Sequence, residues 1–258
     1  MKIENEKLKI RRFVFKPNIA PFSSIHIFLC VSSRQLCDFQ FSIFNFQFSI
    51  QTVVHHLIAQ GEHQQQDFKY EISDARKIAR TLSAFANTDG GRLLIGVKDN
   101  GKIAGVRSDE EIYMVEAAAT MYCVPPVECR MSIHRVEGHN VVIAEVERSE
   151  QIPVRARLDD DSLCAFVRIA DENIVASPVQ MALWREEGRD RGAVLSFTER
   201  EQALLRLLAE APEPLTLNRF ARLGRIPRHR AVQMLAQFIR FGLAEQLFVG
   251  HTFVYVAN

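Results

Sequence analysis

The chain has 258 residues, of which 47% are hydrophobic and 24% charged, and its formal net charge is +1 at pH 7. This composition excludes a wholly disordered protein, and the length suits one large domain or two small ones. A net charge near zero gives no overall attraction to phosphate, so binding of nucleic acid would need a local cluster of Arg or Lys.

The first 52 residues differ in composition from the rest, because they contain nine of the 18 phenylalanines. Residues 39–50 form an imperfect repeat, FQFSIF and FNFQFSI. If residues 2–10 are back-translated with common codons, the complementary DNA strand encodes a peptide that nearly matches residues 38–46. An inverted repeat in the DNA would produce such a pair. We interpret residues 1–52 as an atypical extension, translated from sequence upstream of a start near residue 53. The alternative is a real β-rich extension, which the alternation of Phe also permits.

Cysteine usage predicts a reducing compartment, the cytoplasm, because the five cysteines are odd in number and include no Cys-x-x-Cys pair. The same pattern argues against a zinc knuckle. The nearby His55, His56 and His63 lack matching thiolates or carboxylates, so we interpret them as solvated loop residues. The apolar stretch at 25–31 is far below the ~18 residues needed to cross a bilayer, and it lacks an Ala-x-Ala cleavage pattern. We therefore expect no membrane partner.

Residues 67–106 predict a strand, a helix, a second strand and a tight turn. After a strand at 67–72, Ser73 and Asp74 can cap a helix. The apolar residues that recur at helical spacing in it are Ile78, Leu82 and Phe85. Residues 87–91 end the helix, and we expect both glycines there to adopt positive φ before a strand at 92–97. The Asp-Asn-Gly sequence at 99–101 predicts a hairpin turn that returns the chain as a strand at 103–106.

The following residues predict a helix at 109–122, a strand pair at 128–136 and 140–147, and a strand at 165–169. Residues 141–146 are almost wholly apolar, so we expect that strand to be central in its sheet. The predicted fold class of this part is α+β, a mixed sheet with helices packed on it.

The charged segment 185–192 is typical of a linker, so we predict domains at 53–184 and 193–258. The second domain would be a small winged helix-turn-helix. Its predicted parts are a helix capped by Thr198, helices at 215–223 and 227–242, and a two-stranded wing at 244–256 that turns at Gly250.

Four segments carry a resemblance to a known family. They are EHQQQDFK (62–69), AFANTDGGRLLIGVKDNGKIAGV (84–106), VVIAEVERSEQIPV (141–154) and AFVRIADENIVAS (165–177). In this order they resemble the Schlafen-type Alba-like domain, also called the divergent AAA family. The resemblance implies nucleic-acid binding, and in Schlafen proteins it implies a metal-dependent RNA nuclease built on three carboxylates.

The resemblance implies catalytic and metal-binding roles for Glu62 and Asp67, which match the Glu-x4-Glu-Phe-Lys pattern, with Asp99 as a third carboxylate. Such oxygen ligands can hold Mg²⁺ or Mn²⁺ and activate water. Asp in place of Glu at position 67 shortens the side chain, which changes the geometry. The alternatives are that Asp99 serves the turn and that Glu62 is a solvated residue at a helix end. The family's ATP-binding label finds no P-loop in this chain, which argues against an ATP site. The alternative is that residues 87–91 present amides to a phosphate, although the end of the helix explains both glycines without a ligand.

Two groups of basic residues are candidate nucleic-acid contacts. In the first domain, Lys69, Arg76, Lys77, Arg80 and Arg92 could face phosphate, although a solvated helix face is the alternative. In the second, five arginines fall within twelve residues that contain no Asp or Glu. They are Arg219, Arg222, Arg225, Arg228 and Arg230.

The second basic group brackets the turn and the start of the predicted recognition helix. We expect Arg228, His229, Arg230 and Gln233 to approach base edges, and the preceding arginines to contact phosphates. The sequence therefore predicts a transcriptional regulator that binds DNA. The alternatives are a divalent-metal-dependent RNA endonuclease and a protein-interaction module. A homo-oligomer is compatible with the sequence.

Overall fold

A computed structural model describes residues 53–186 and 197–258. Residues 1–52, the predicted extension, and residues 187–196, which include most of the predicted linker and the first four residues of the predicted second domain, lie outside the described residues.

Seven helices and eleven strands make up the described ranges. The helices are α1 (53–59), α2 (Ala75–Asn87), α3 (Glu110–Thr120), α4 (Pro178–Glu186), α5 (Glu199–Ala209), α6 (Leu217–Leu223) and α7 (Arg228–Arg240). The first strands are β1 (Gln66–Lys69), β2 (Gly91–Ile95), β3 (Cys123–Val124), β4 (Cys129–Val136) and β5 (His139–Val146). The others are β6 (Arg155–Arg157), β7 (Leu163–Ile169), β8 (Glu172–Val175), β9 (Leu215–Thr216), β10 (Ala244–Val249) and β11 (Thr252–Ala257). Within these ranges, none of the helices combines the length and apolar character that a membrane span requires.

The N-terminal part contains two four-stranded sheets. The first has the order β1-β2-β5-β4, with β1 and β2 parallel and the other pairs antiparallel. This confirms the predicted mixed sheet and the interior position of β5. The second sheet, β3-β6-β7-β8, is antiparallel throughout. It was not predicted as a separate sheet, because three of its strands have only two to four residues, too few to show an alternation.

Helix α2 contributes apolar residues to a core shared by both sheets. Asp74 caps it by accepting a hydrogen bond from the amide of Arg76, as predicted. Its polar residues Ser83 and Asn87 are also buried, and both donate to the carbonyl of Val154 beside the second sheet. These hydrogen bonds satisfy polar groups that would otherwise destabilise the core, and they fix the helix against the second sheet.

The helix exit uses its two glycines for different reasons. Gly90 has φ +69°, as expected for a residue that leaves a helix. The predicted positive φ of Gly91 is wrong, since Gly91 does not adopt one. A Cβ atom at Gly91 would lie 2.5 Å from the ring of Phe85, so glycine is needed there for space.

The turn after β2 forms, but the predicted strand at 103–106 does not. Lys98 donates its amide to the carbonyl of Lys102 at 3.0 Å, and Gly101 has φ +78°. Beyond it, pairing is limited to one antiparallel bridge between Val97 and Ile103. The amides of the next two residues both donate hydrogen bonds to the carbonyl of Gly96. This segment therefore folds over the end of β2 rather than extending beside it.

The C-terminal part contains α5, α6, α7 and a three-stranded antiparallel sheet in the order β10-β11-β9. Thr198 and Glu201 form a reciprocal cap at the start of α5, which confirms the predicted N-terminus. The prediction of helix from residue 215 is wrong by two residues, because Leu215 and Thr216 pair with β11. Thr216 then caps α6.

Helix α4 and the β10–β11 hairpin join the two parts. Trp184 on α4 is buried with Ala165 and Val167 of β7, and Phe253 of β11 packs against the same cluster. The hydroxyl of Ser177 donates to Gln246 on β10 at 2.8 Å. Since α4 runs to residue 186, the predicted linker begins inside a helix.

Candidate nucleic-acid interface

The turn between α6 and α7 is held by apolar anchors beneath it. Gly224 donates its amide to the carbonyl of Phe220, and Ile226 is buried in the C-terminal core. Arg225 between them has φ +50°, and Pro227 precedes the first residue of α7. Because the chain reverses here around a buried isoleucine, its polar side chains lie on the outside.

The five predicted arginines lie on this turn and the two helices beside it, and four of them are exposed. Arg219 is half-buried and forms an ion pair with Glu213 at 3.2 Å. Arg230 lies 3.6 Å from Glu201 and donates to Gln233 at 3.2 Å. Exposed ion pairs of this kind contribute at most about 1 kcal/mol, so a polyanion can compete for these arginines.

The remaining three arginines, Arg222, Arg225 and Arg228, have no acidic partner among the described residues. Arg228 instead donates from Nε to Asn218 on α6 at 3.2 Å, which ties the start of α7 to α6. The turn therefore presents positive charge that the protein's own described carboxylates do not neutralise.

The predicted basic residues of the N-terminal part are more dispersed. Arg76 and Arg80 on α2 both lie near Asp159, at 3.6 and 3.5 Å, and Arg76 also stacks on the ring of Tyr122. Lys77 is exposed on the same helix. Arg92 is half-buried on β2 and faces Glu145 across the strand pair. Acidic neighbours thus surround much of this group.

The three candidate carboxylates are only partly brought together. Glu62 accepts a hydrogen bond from the amide of Phe68 at 2.9 Å. Partial burial raises the pKa of Glu62, and the adjacent carboxyl of Asp67 raises it further. Asp99 instead lies exposed in the turn after β2.

Two cationic side chains of the protein itself contact the carboxylate of Asp67. Asp67 is 3% exposed on β1, and its Oδ1 accepts a hydrogen bond from Arg168 Nη2 at 3.2 Å. Lys69 Nζ lies 2.8 Å from Oδ2, an ionic contact that is not also a hydrogen bond. Across residues 53–186 and 197–258, no three His, Cys, Asp or Glu side chains form a group that could hold a metal. As arranged, the three carboxylates do not fit Mg²⁺ or Mn²⁺.

Arg168 is the residue that the sequence reasoning missed. It lies in the apolar strand β7 and is 2% exposed. Besides Asp67 it donates to the side chain of Asn173 at 2.9 Å and to the carbonyl of Gln66 at 3.2 Å, and it stacks on Phe85. The available signal was one arginine within the apolar run AFVRI, since a charge in such a run needs a buried partner.

The glutamines of the EHQQQDFK segment are structural. Gln64 donates to the carbonyl of Arg168 at 2.7 Å and accepts from the amide of Ala170. Gln66 is buried and donates to the carbonyl of Leu57, so it connects β1 to α1. This segment therefore links α1, the first sheet and the end of β7.

Residues 62–177 match the family model described as Schlafen, AlbA_2. No curated protein matches the chain. One similar solved structure, a protein from Corynebacterium diphtheriae, has 20% identity and a TM-score of 0.38, and the match covers 56% of this chain and 34% of that one. Another is the N-terminal domain of a putative ATP-dependent DNA helicase RecG-related protein from Nitrosomonas europaea. It has 18% identity and a TM-score of 0.35, over 58% of this chain and 96% of that one. Structural likenesses this weak carry no functional argument.

Proposed function

Because residues 62–177 belong to the Schlafen AlbA_2 family, we propose that this chain is a nucleic-acid-binding protein and acts as a transcriptional regulator. Residues 53–184 form the Alba-like domain in this proposal. Residues 193–258 form a winged helix-turn-helix that holds duplex DNA. The described order of helix, strand, two helices and hairpin is the order of a winged helix.

One observation carries the proposal, namely the unneutralised charge of Arg222, Arg225 and Arg228 around the start of α7. Phosphate contacts supply most of the non-specific affinity for DNA, and a local cluster serves even when the total charge is near zero. Helix α7 has 13 residues and an exposed N-terminal end, so it suits insertion into the major groove.

Roles within the interface follow from position along the chain. Residues at the start of the second helix of a helix-turn-helix approach base edges. This assigns base contacts to Arg228, His229, Arg230 and Gln233. The preceding Arg219, Arg222 and Arg225 contact phosphates, which adds affinity and salt dependence without sequence choice.

A binding titration of the full chain with labelled duplex DNA tests the proposal. We expect Arg228→Ala to weaken binding about five- to tenfold, since a contact to DNA is worth roughly 1 kcal/mol or more. Arg135→Ala is the matched control, because Arg135 is exposed on β4 and has no described acidic partner. Equal affinity of wild type and Arg228→Ala, or an equal loss in Arg135→Ala, would contradict the proposal.

Incubation of the same protein with structured RNA and Mn²⁺ distinguishes the nuclease alternative from the DNA-binding proposal. Asp99→Asn is the informative variant, since Asp99 is exposed and asparagine is accepted in such a turn. A variant of Asp67 would disturb a buried ion pair and confuse activity with folding. Metal-dependent cleavage that is lost in Asp99→Asn would favour the endonuclease. Intact RNA in both samples agrees with a binding protein.

A further inference from the structure

A cluster of one tyrosine and two cations lies at the surface of the N-terminal part. Tyr70 directly follows β1, and 37% of its surface is exposed. Lys98 Nζ lies 4.8 Å from the centre of the ring, and Arg107 Cζ lies 5.3 Å from it. Arg107 also donates from Nη2 to the tyrosine hydroxyl, and both cationic residues are exposed.

The fold builds this cluster at the edge where the parallel strands β1 and β2 both end. Gly96 donates its amide to the carbonyl of Lys69 at 2.8 Å, which aligns the two strand ends. A Cβ atom on Gly96 would lie 2.7 Å from the carbonyl carbon of Gly105, so the segment after the turn lies directly on the segment before it. This close approach brings residues 98 and 107 to the same tyrosine.

A buried carboxylate fixes the arginine's segment to the tyrosine's segment. Glu111 on α3 accepts the amide of Arg107 at 2.8 Å and the amide of Ile72 at 3.2 Å. Glu71 pairs with Arg107 Nη1 at 2.9 Å. The guanidinium is therefore held in place, by a hydroxyl on one side and a carboxylate on the other.

We propose that Tyr70, Lys98 and Arg107 form a site for an unpaired nucleobase and its neighbouring phosphate, so that the Alba-like domain binds single-stranded nucleic acid. Unpaired bases stack on aromatic rings and on guanidinium planes, and both surfaces are present here. Lys98, with the exposed Lys102 on the same turn, supplies charge for the phosphates. Bases within a duplex are already stacked, so this site selects single strands.

This inference rests on the proposed function, because it names the form of nucleic acid that the Alba-like domain takes. It is tested on the full chain at low salt with labelled dT and rU oligonucleotides of about 20 nucleotides, which exceed a typical single-stranded site. A duplex of the same length serves as the second probe. The dT and rU arms distinguish DNA from RNA as the ligand.

We expect Tyr70→Ala to weaken single-strand binding about tenfold and to leave duplex affinity within twofold, since stacking on one aromatic side chain contributes roughly that much. Tyr70→Phe keeps the ring and should stay within about threefold of wild type. Arg135→Ala, exposed on β4 in the same part of the protein, is the control. It should leave both single-strand and duplex affinity within about twofold of wild type.

Two results would overturn the inference: unchanged single-strand affinity in Tyr70→Ala, or an equal loss for single strand and duplex. The titration of the wild-type protein distinguishes a failure of this inference from a failure of the proposed function. Binding to the duplex but to neither single strand would refute the inference alone. Binding to none of the three probes would refute both.

Discussion

Arg168 connects β7 to β1 and places its guanidinium against Asp67 in the interior, where both residues are almost fully buried. Removing one partner of a buried pair leaves the other charge unpaired, and this costs more than replacing both. We expect Asp67→Asn, which leaves the buried Arg168 guanidinium without a carboxylate, to lower the free energy of unfolding by about 3–5 kcal/mol in urea denaturation. The double variant Asp67→Asn with Arg168→Met should recover much of that loss.

The matched control for this pair is Arg135→Met, which changes an exposed arginine in a strand and should have little effect. A double variant as unstable as the sum of the two single variants would show that the two charges do not interact.

The ionisation of Glu62 predicts that the stability of the protein depends on pH. Partial burial raises the pKa of Glu62 above the ordinary value of 4.5, so this carboxyl binds a proton more readily in the folded than in the unfolded protein. Its stabilising contribution is complete below pH 4.5 and is lost as the pH rises through the folded pKa. Glu62→Gln keeps an acceptor for Phe68 and cannot ionise. Urea denaturation should therefore show the variant gaining stability relative to wild type as the pH rises, and a difference independent of pH would contradict this.

Helix α1 is short, and its stability depends on packing against the first sheet. Val54 and Leu57 are buried with Phe68, Leu94 and other residues of β1, β2 and β5. We expect Leu57→Ala to lower the free energy of unfolding by about 2–5 kcal/mol, the usual range for a buried leucine. Val53→Ala, at a position 51% exposed, should change it by less than about 0.5 kcal/mol. Similar effects of the two variants would mean that α1 does not pack as described.

The elements that the sequence predicted are those with a long or strongly marked pattern. The cap and apolar spacing identified α2, the continuous apolar run identified β5, and Thr198 identified the start of α5. Strands β3 and β9, with two residues each, carry too little pattern to be recognised.

Whether a candidate site could be predicted depended on how close its residues lie in the sequence. The arginines around the start of α7 are close in sequence, so charge spacing alone was enough to find them. Asp67 and Arg168 are 101 residues apart, and Tyr70 and Arg107 are 37 apart. Contacts of this kind depend on sheet topology, which local sequence patterns do not determine.

At the scale of the whole molecule, the β10–β11 hairpin connects the C-terminal part to the N-terminal part by packing against it. Phe253 packs against the cluster that contains Trp184, the one tryptophan of the chain, so tryptophan fluorescence reports on this contact. We expect Phe253→Ala to shift the emission to longer wavelength, because water gains access to the indole. Val249→Ala, on an exposed residue of the same hairpin, should leave the spectrum unchanged. Identical spectra for wild type and both variants would show that the hairpin does not cover Trp184.

The same contacts connect the C-terminal part, which carries the arginine-rich turn, to β7 of the N-terminal part. Duplex binding in the proposed function therefore depends mainly on α6, α7 and the turn between them, because part of the hairpin is occupied by the contact with α4 and β7.

The salt dependence of duplex binding tests the central claim most directly. Each phosphate contact made by an Arg releases counterions and adds about 0.9 to the slope of log affinity against log salt. Joint replacement of Arg222 and Arg225, the two exposed arginines assigned to phosphates, by Ala should therefore reduce that slope by about 2 relative to wild type. An unchanged slope, with the variant still folded, would contradict the account by showing that these arginines do not contact DNA.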